Sequence, residues 1–144
     1  MNVYFDTSCI LTVALLDDGA EQLIELLAAL EEPPAYSDFG FGECVSGVGL
    51  RVRQRLLTAT QGTSVVQGLH ELLAKWRRLQ VQSQDVALGT RYLNDFTLGL
   101  RLPDALHIAV AERLNLQLIT ADRRQLAAAR ALGVVAHNPF DEGA

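Results

Sequence analysis

The segment of residues 101–124 limits the possible folds of this 144-residue chain more than any other. It predicts a helix with Pro103 and Asp104 in its first turn, where a missing N–H is harmless and a negative charge is favoured by the helix dipole. A short apolar strand over Leu116–Thr120 follows, with Asp122 just beyond it. Ligand sites in open α/β sheets form outside the carboxyl ends of the strands. Asp122 is therefore expected where a parallel strand would deliver a catalytic acid.

Short apolar runs alternate with helical segments along the rest of the chain. The other strands are expected at Val3–Phe5, Ala35–Ser37, Leu79–Gln82 and Val134–His137. The helices are expected at Cys9–Leu16, Ala20–Glu31, Glu43–Thr58, Val65–Arg78, Gln84–Leu98 and Arg123–Leu132, with a turn at Gln61–Gly62 and with Thr7, Ser8 and Ser83 as capping residues. This alternation predicts an α/β fold, with a parallel sheet of about five short strands flanked by helices.

Length and composition indicate one globular domain. The chain is 49% hydrophobic and 20% charged, and its apolar stretches are shorter than the ~20 residues that cross a bilayer. The first residues, MNVYFD, lack the basic start of a signal peptide, so a cytoplasmic location without membrane contact is expected. Cys9 and Cys44 have no pairing pattern and are expected to be reduced and buried. The domain is expected to span residues 1–137, followed by a polar tail over 138–144.

The net charge argues against nucleic-acid binding by bulk electrostatics. The chain has 17 acidic and 12 basic residues, a formal net charge of −5, whereas such binding needs a basic face. If four acids bound a cation, however, the remaining 13 would nearly match the bases. Arg123 and Arg124 flank the predicted site and could steer a phosphate, although solvated arginines are an equally plausible interpretation. Arg101, beside the acids, could form a structural ion pair.

Four acids occupy comparable places in the predicted fold. Asp6 follows the first strand, Asp122 follows the fourth, and Glu43 and Asp104 each open a helix. Four converging carboxylates would repel one another unless a cation neutralised them. Oxygen ligands alone favour Mg²⁺ or Mn²⁺ over zinc, and such ions support phosphodiester hydrolysis.

Each acid also has a purely structural interpretation. Asp6, Asp104 and Asp122 could cap or begin helices, and a glutamate at position 43 could serve the helix dipole. Asp38 is a rival to Glu43 as the fourth acid. His107 lies three residues after Asp104 on the same helical face. It could bind metal, but a packed histidine is the better interpretation because four oxygen ligands already suffice.

Three short motifs resemble the PIN-domain family, most closely its VapC-type toxins: Phe5-Asp6-Thr7-Ser8, Leu102-Pro103-Asp104-Ala105-Leu106-His107 and Leu118-Ile119-Thr120-Ala121-Asp122-Arg123. The resemblance implies a three-layer domain in which Asp6, Glu43, Asp104 and Asp122 bind Mg²⁺ or Mn²⁺ and support RNA cleavage. It also implies that the hydroxyls of Thr7 or Ser8, and of Thr120, orient ligands or water. The partners it implies are an RNA substrate, a cognate antitoxin and a second copy of the chain. The match is loosest around Ser37–Glu43, where Asp38 and two glycines are unusual.

The leading hypothesis is a metal-dependent endoribonuclease that acts as the toxin of a toxin–antitoxin pair. One alternative is a protein-binding module of the same fold with little or no nuclease activity. Another is a phosphatase of the haloacid dehalogenase type, which also places an aspartate after its first strand. That chemistry needs a second aspartate two positions after Asp6, where this sequence has Ser8.

Overall fold

A computed structural model describes residues 2–141 of the chain. Their central element is a sheet of five parallel strands. The strands are β1 (Val3–Phe5), β2 (Ala35–Ser37), β3 (Arg77–Leu79), β4 (Gln117–Ile119) and β5 (Ala136–His137). Their order across the sheet is β3-β2-β1-β4-β5, and every neighbouring pair is parallel. The predicted α/β fold with a parallel sheet of about five short strands is therefore confirmed.

Seven α-helices flank the sheet in the described residues: α1 (Thr7–Leu15), α2 (Ala20–Ala29), α3 (Asp38–Arg53), α4 (Ala59–Leu73), α5 (Ser83–Leu93), α6 (Leu102–Arg113) and α7 (Arg123–Ala131). Side chains alternate between the two faces of a strand. Tyr4 accordingly joins one core cluster, with Ile108 of α6 and Leu126 of α7. Phe5 joins the other, with Ile10 of α1. The two clusters confirm the three-layer arrangement.

The first helix begins earlier than predicted, and its cap is a different residue. α1 starts at Thr7, and Asp6 is its N-cap, accepting a hydrogen bond from the Cys9 N–H at 3.1 Å. The prediction that Thr7 or Ser8 caps this helix was wrong. Aspartate is as good an N-cap as serine. Asp6 directly follows β1 and has the extended backbone that an N-cap residue needs.

The helix that contains Glu43 begins five residues before the predicted start. α3 starts at Asp38, because Ser37 caps it by accepting a hydrogen bond from the Gly40 N–H at 2.9 Å. Glu43 therefore lies in the second turn and does not open the helix. A Cβ on Gly40 would stand 3.1 Å from Ser37 Oγ and 3.3 Å from His107 Cε1. Position 40 therefore needs a glycine because neighbouring side chains lie so close, and not because the chain forms a loop there.

Three further boundaries also differ from the sequence prediction. Residues 61–62 lie inside α4, because Thr58 and Gln61 form a capping box in place of the expected turn. β3 begins at Arg77, two residues before the predicted strand. α5 is preceded by Gln82 as N-cap rather than Ser83 and ends at Leu93, after which a separate 3₁₀ turn spans Phe96–Leu98.

Part of the predicted C-terminal tail lies against the domain. Asn138 is buried, and its Oδ1 accepts a hydrogen bond from the Phe140 N–H at 2.9 Å. The Phe140 ring packs on the second core cluster, close to Gly19. The rest of the tail, residues 142–144, lies outside the described residues. Among residues 2–141, no helix is long and apolar enough to cross a membrane.

Candidate active site

The candidate site lies where the order of the strands reverses. From β1 the chain adds β2 and β3 on one side of the sheet and then β4 and β5 on the other. Phe5 is paired with Ile119, so the next residues, Asp6 and Thr120, leave the sheet side by side. The crevice at such a switch point is the usual ligand site of an open α/β sheet.

Asp6 is a buried carboxylate with several hydrogen-bond donors around it. Its Oδ1 accepts from the Ser8 hydroxyl at 2.7 Å and from the Cys9 N–H, and its Oδ2 accepts from the Thr120 hydroxyl at 2.6 Å. Burial raises the pKa of Asp6, against the charge of His107 and these hydrogen bonds, which lower it. The ionised form is therefore poorly solvated, and a neighbouring positive charge would stabilise it.

Thr120 links Asp6 to a glutamine that sequence reasoning missed. Its Oγ1 lies 2.6 Å from Asp6 Oδ2 and 2.8 Å from Gln125 Oε1, and it accepts a hydrogen bond from the Asp122 N–H at 3.0 Å. The Gln125 amide in turn donates to the Asp104 carbonyl at 3.2 Å. Gln125 stands three residues after Asp122, the spacing of a capping box. From the sequence, this spacing predicts only that Gln125 helps to cap α7. In the structure, its side chain also connects α7 to Thr120 after β4 and to Asp104 in α6.

Glu43 is held by two side chains from other helices. Its Oε1 lies 2.6 Å from His107 Nε2 and accepts from the Thr7 hydroxyl at 2.7 Å. Burial raises the pKa of Glu43, but the hydrogen bond and charge of His107, the Thr7 hydroxyl and the charge of Arg101 together bring it below its ordinary value. Glu43 therefore stays ionised although it is partly buried.

His107 is packed and hydrogen-bonded. Its Nδ1 lies 2.6 Å from the hydroxyl of Tyr4, which is itself 2.8 Å from Ser37 Oγ. Burial strongly raises the pKa of Tyr4, so this hydroxyl stays neutral. Both imidazole nitrogens are thus engaged, one by Tyr4 and one by Glu43, which supports the packed interpretation over a metal-ligand role. Sequence reasoning missed Tyr4, whose position inside an apolar strand gives no sign of a polar contact.

Asp104 and Asp122 line a common cleft, and Asp104 lies in the first turn of α6 whereas Asp122 caps α7. The cleft has a volume of about 530 Å³ and is lined by Gly99, Arg101, Asp104, Asp122, Arg123 and Arg124. Asp122 Oδ1 accepts from the backbone N–H groups of Arg124 at 2.9 Å and Gln125 at 3.1 Å. Asp104 Oδ2 accepts from the Arg101 N–H at 3.3 Å. The structural interpretation is therefore confirmed for both carboxylates, and their place in the cleft leaves the functional interpretation open to test.

Asp38 makes local contacts of its own. Its Oδ1 accepts from the Phe39 N–H at 2.7 Å and from the Val81 N–H at 3.0 Å. These contacts tie the first turn of α3 to the segment after β3. The carboxylate has a structural role there, which favours Glu43 as the acid of the candidate site.

The donor chemistry around the switch point suits a hard divalent cation. The side chains are carboxylates and hydroxyls, and oxygen donors of this kind are those that Mg²⁺ and Mn²⁺ prefer. Burial raises the pKa of Asp6, because its charged form loses hydration, and a bound cation would compensate for that loss. Within residues 2–141, however, no three His, Cys, Asp or Glu side chains are grouped so that they could hold a metal ion as placed.

Comparisons with known proteins agree with this architecture. Similar solved structures include FitAcB from Neisseria gonorrhoeae (22% identity, 96% of this chain and 98% of that chain, TM-score 0.74). A toxin–antitoxin complex from Klebsiella pneumoniae is also similar (21% identity, 97% and 99%, TM-score 0.69). A third is VapC20 of Mycobacterium tuberculosis, described as a sarcin-ricin loop cleaving toxin (17% identity, 93% and 97%, TM-score 0.71). At these identities the likeness shows a shared fold.

The sequence itself identifies the family. A search of curated proteins found no significant match. The family profile of the PIN domain, by contrast, matches residues 3–131, a range that includes the candidate site residues Asp6, Glu43, Asp104, Thr120 and Asp122. The match covers most of the chain and agrees with the observed sheet order. The chain belongs to the PIN domain family.

Proposed function

We propose that this chain is a metal-dependent endoribonuclease and the toxin of a toxin–antitoxin pair. The observation on which the proposal depends is the pairing of Asp6 and Thr120 at the switch point, beside the cleft that Asp104 and Asp122 line. Membership of the PIN family supports it, as do similar folds described as toxin–antitoxin complexes and as a cleaving toxin. The proposed setting is the cytoplasm, with an antitoxin and a second copy of the chain as partners.

The proposed reaction is hydrolysis of an RNA phosphodiester bond by water. Mg²⁺ or Mn²⁺, when bound, supplies positive charge that stabilises the developing charge on the phosphate. The residues proposed to hold it are Asp6, Glu43, Asp104 and Asp122. Their carboxylates are also the groups that could take a proton from the attacking water.

The surrounding side chains orient the carboxylates and bind substrate. Ser8 and Thr120 fix the two oxygens of Asp6, and Thr7 together with His107 fixes Glu43. Preorganised polar groups of this kind lower the cost of arranging the site during the reaction. On the exposed side of the cleft, Arg123 is proposed to bind substrate phosphate with its neighbouring arginines.

The test is cleavage of a labelled RNA, with Mg²⁺ or Mn²⁺ and with excess EDTA. Asp6→Asn, Asp104→Asn and Asp122→Asn are each expected to abolish metal-dependent cleavage. Asp18→Asn, which neutralises an exposed acid outside the cleft, is the matched control and should leave the rate unchanged. Full activity of the three variants, or undiminished activity of the parent in EDTA, would refute the proposal.

A protein-binding module of the same fold remains a second candidate, supported by one specific observation. Residues 2–141 contain no ready-made group of three metal-ligating side chains. Isothermal calorimetry separates the two functions. Binding of Mn²⁺ that is lost in Asp6→Asn supports the nuclease, whereas no binding of either ion by the full chain supports the binding module.

A further inference from the structure

Phe96 has the most exposed large apolar side chain in residues 2–141, with 89% of its surface accessible. It opens the 3₁₀ turn Phe96–Leu98 between α5 and α6. A single exposed phenylalanine is ordinary, because folded proteins leave many apolar atoms in water. The turn that carries this ring is hydrogen-bonded at both ends and borders the cleft.

The turn that presents Phe96 is fixed at both ends. Asp95 caps it, accepting a hydrogen bond from the Thr97 N–H at 3.1 Å. Gly99 closes it in the left-handed conformation, and its N–H donates to the Phe96 carbonyl at 3.4 Å. Leu98 packs against the first core cluster. The ring is therefore held in solvent by a structured and anchored turn.

The same turn borders the acidic cleft. Gly99 is one of the residues that line the cleft. A Cβ on Gly99 would stand 3.3 Å from Cδ of Arg124, so the aliphatic part of Arg124 lies along the turn. Phe96 is three residues before Gly99, which corresponds to roughly 6 Å along a 3₁₀ turn. The turn that carries the exposed ring therefore borders the candidate site.

Three exposed arginines stand on the cleft side of this turn. Arg101 and Arg124 form no ion pair within residues 2–141. Arg123 approaches Asp141 at 3.6 Å, but its side chain is 83% exposed, and such surface pairs contribute little. The arginines are therefore available to an anionic ligand, in a chain whose net charge is negative.

We propose that Phe96 is a base-stacking residue: an unpaired nucleobase of the RNA lies on its ring while Arg101 and Arg124 bind the adjacent phosphates. The inference rests on the proposed ribonuclease function and adds to it a contact for one unpaired base. Sites for single strands combine a basic groove with aromatic rings on which bases stack. A base inside an A-form duplex has no free face for this contact.

A partner protein is the other possible occupant of an exposed phenylalanine, and the charges favour RNA over it. A protein surface on this ring would also cover arginines and carboxylates, whose desolvation is costly unless each is paired. A nucleotide supplies a π face for the ring and phosphate oxygens for the arginines in the same ligand.

The experiment measures binding of two labelled oligomers by fluorescence anisotropy: oligoadenylate, and an abasic oligomer with the same sugar–phosphate backbone. An Asp104→Asn background prevents cleavage. Phe96→Ala is expected to weaken oligoadenylate binding by about five- to 150-fold, the effect of losing one stacked base, and to leave abasic binding unchanged. Phe96→Trp should retain or strengthen binding to oligoadenylate.

Two further variants make the test specific. Leu56→Ala removes another exposed apolar side chain, away from the cleft lining, and should leave both affinities unchanged. Arg124→Ala should weaken binding of both oligomers, because both contain phosphate. Thermal melting of Phe96→Ala is expected to match the parent, because the ring contributes little buried surface.

The outcomes separate the stacking inference from the proposed function, which RNA cleavage by the unsubstituted chain tests on its own. If that chain cleaves RNA and Phe96→Ala binds oligoadenylate normally, only the stacking is overturned. If Phe96→Ala weakens binding of both oligomers equally, the stacking is also overturned. If Phe96→Ala changes the oligomeric state and binds RNA normally, the ring belongs to a protein contact, and the stacking is overturned as well. A chain that neither binds nor cleaves RNA overturns both.

Discussion

Replacing Asp6 with asparagine should stabilise the metal-free protein while removing its proposed activity. Asp6 is only 4% exposed, and burial raises its pKa. The native state therefore bears the cost of a desolvated charge at neutral pH. Asparagine has nearly the same shape and caps a helix equally well, so the contact with the Cys9 N–H can be retained.

The contacts of Thr120 add a second contribution. A threonine hydroxyl has one proton, yet Thr120 Oγ1 lies within 2.8 Å of two acceptors, Asp6 Oδ2 and Gln125 Oε1. When Asp6 is ionised, one of these contacts has no proton. An asparagine Nδ2 would donate to Thr120, which could then donate to Gln125.

The magnitude follows from these two changes. One restored hydrogen bond contributes about 0.5–1.5 kcal/mol, and the removed charge adds to it, so we expect roughly 1–2 kcal/mol. For a chain of this size that corresponds to a rise in Tm of roughly 3–8 °C. Thermal unfolding in EDTA, followed by circular dichroism, measures it. Asp6→Ala is the control and should melt below the parent, because it loses the cap.

The dependence on pH identifies the cause. Between about pH 4, where an unfolded aspartate titrates, and the raised pKa of Asp6, the native parent binds more protons than the unfolded chain. Its stability therefore falls as pH rises through this window, and the advantage of Asp6→Asn grows and then levels off. Saturating Mn²⁺ should reduce or reverse the advantage, because only the parent gains binding energy. A variant that melts at or below the parent in EDTA at neutral pH would refute this reasoning.

Three further predictions concern a close helix contact, a buried ion pair and a partly buried carboxylate. Gly40→Ala should lower the free energy of unfolding by about 1–3 kcal/mol, because the new Cβ would press on Ser37 Oγ and His107. Gly42→Ala is its control in the same helix: its Cβ would meet nothing within 4 Å, so it should raise that free energy by about 0.5–1 kcal/mol. Urea unfolding measures both. Asp85→Ala should cost about 3–5 kcal/mol in the same assay, since it strands Arg113, which contacts this buried carboxylate at 2.6 Å. The lowered pKa of Glu43 means that its charge stabilises the fold above about pH 4 and that this contribution is lost as pH falls further, so the parent and Glu43→Gln should converge in acid. A constant gap between them across that range would contradict this.

The sequence predicted the elements well because their patterns are local. Apolar spacing and helix-start residues located all seven helices of the described residues, and short apolar runs located the five strands, so the parallel sheet and its layers followed. Boundaries failed where one side chain decides the start of a helix. Ser37 and Thr58 each extend a helix backwards by hydrogen-bonding to backbone N–H groups. Glycines at positions 40 and 42, which weaken a helix by propensity, did not prevent this extension.

The contacts that organise the candidate site were beyond local patterns. His107 and Tyr4 are 103 positions apart in the sequence, and His107 and Glu43 are 64 apart. Neither pair follows from a helical or strand period, so the sequence gives no sign of the polar contact of Tyr4 and does not decide between Glu43 and Asp38. Asp6 and Asp122 were easier to place, because a residue that follows a parallel strand lies at the sheet edge whatever its partners are.

The structural and functional interpretations of the acids turn out not to compete. Asp6 and Asp122 cap α1 and α7 through Oδ1, and Asp6 contacts Thr120 through Oδ2. Each Oδ1 already accepts two hydrogen bonds, so the acceptor capacity that remains for a cation is on Oδ2. Capping also fixes the orientation of the carboxylate before any ligand arrives, which is the preorganisation that an electrostatic site needs. Substitution by asparagine therefore separates the two roles, since it preserves the cap and removes the charge.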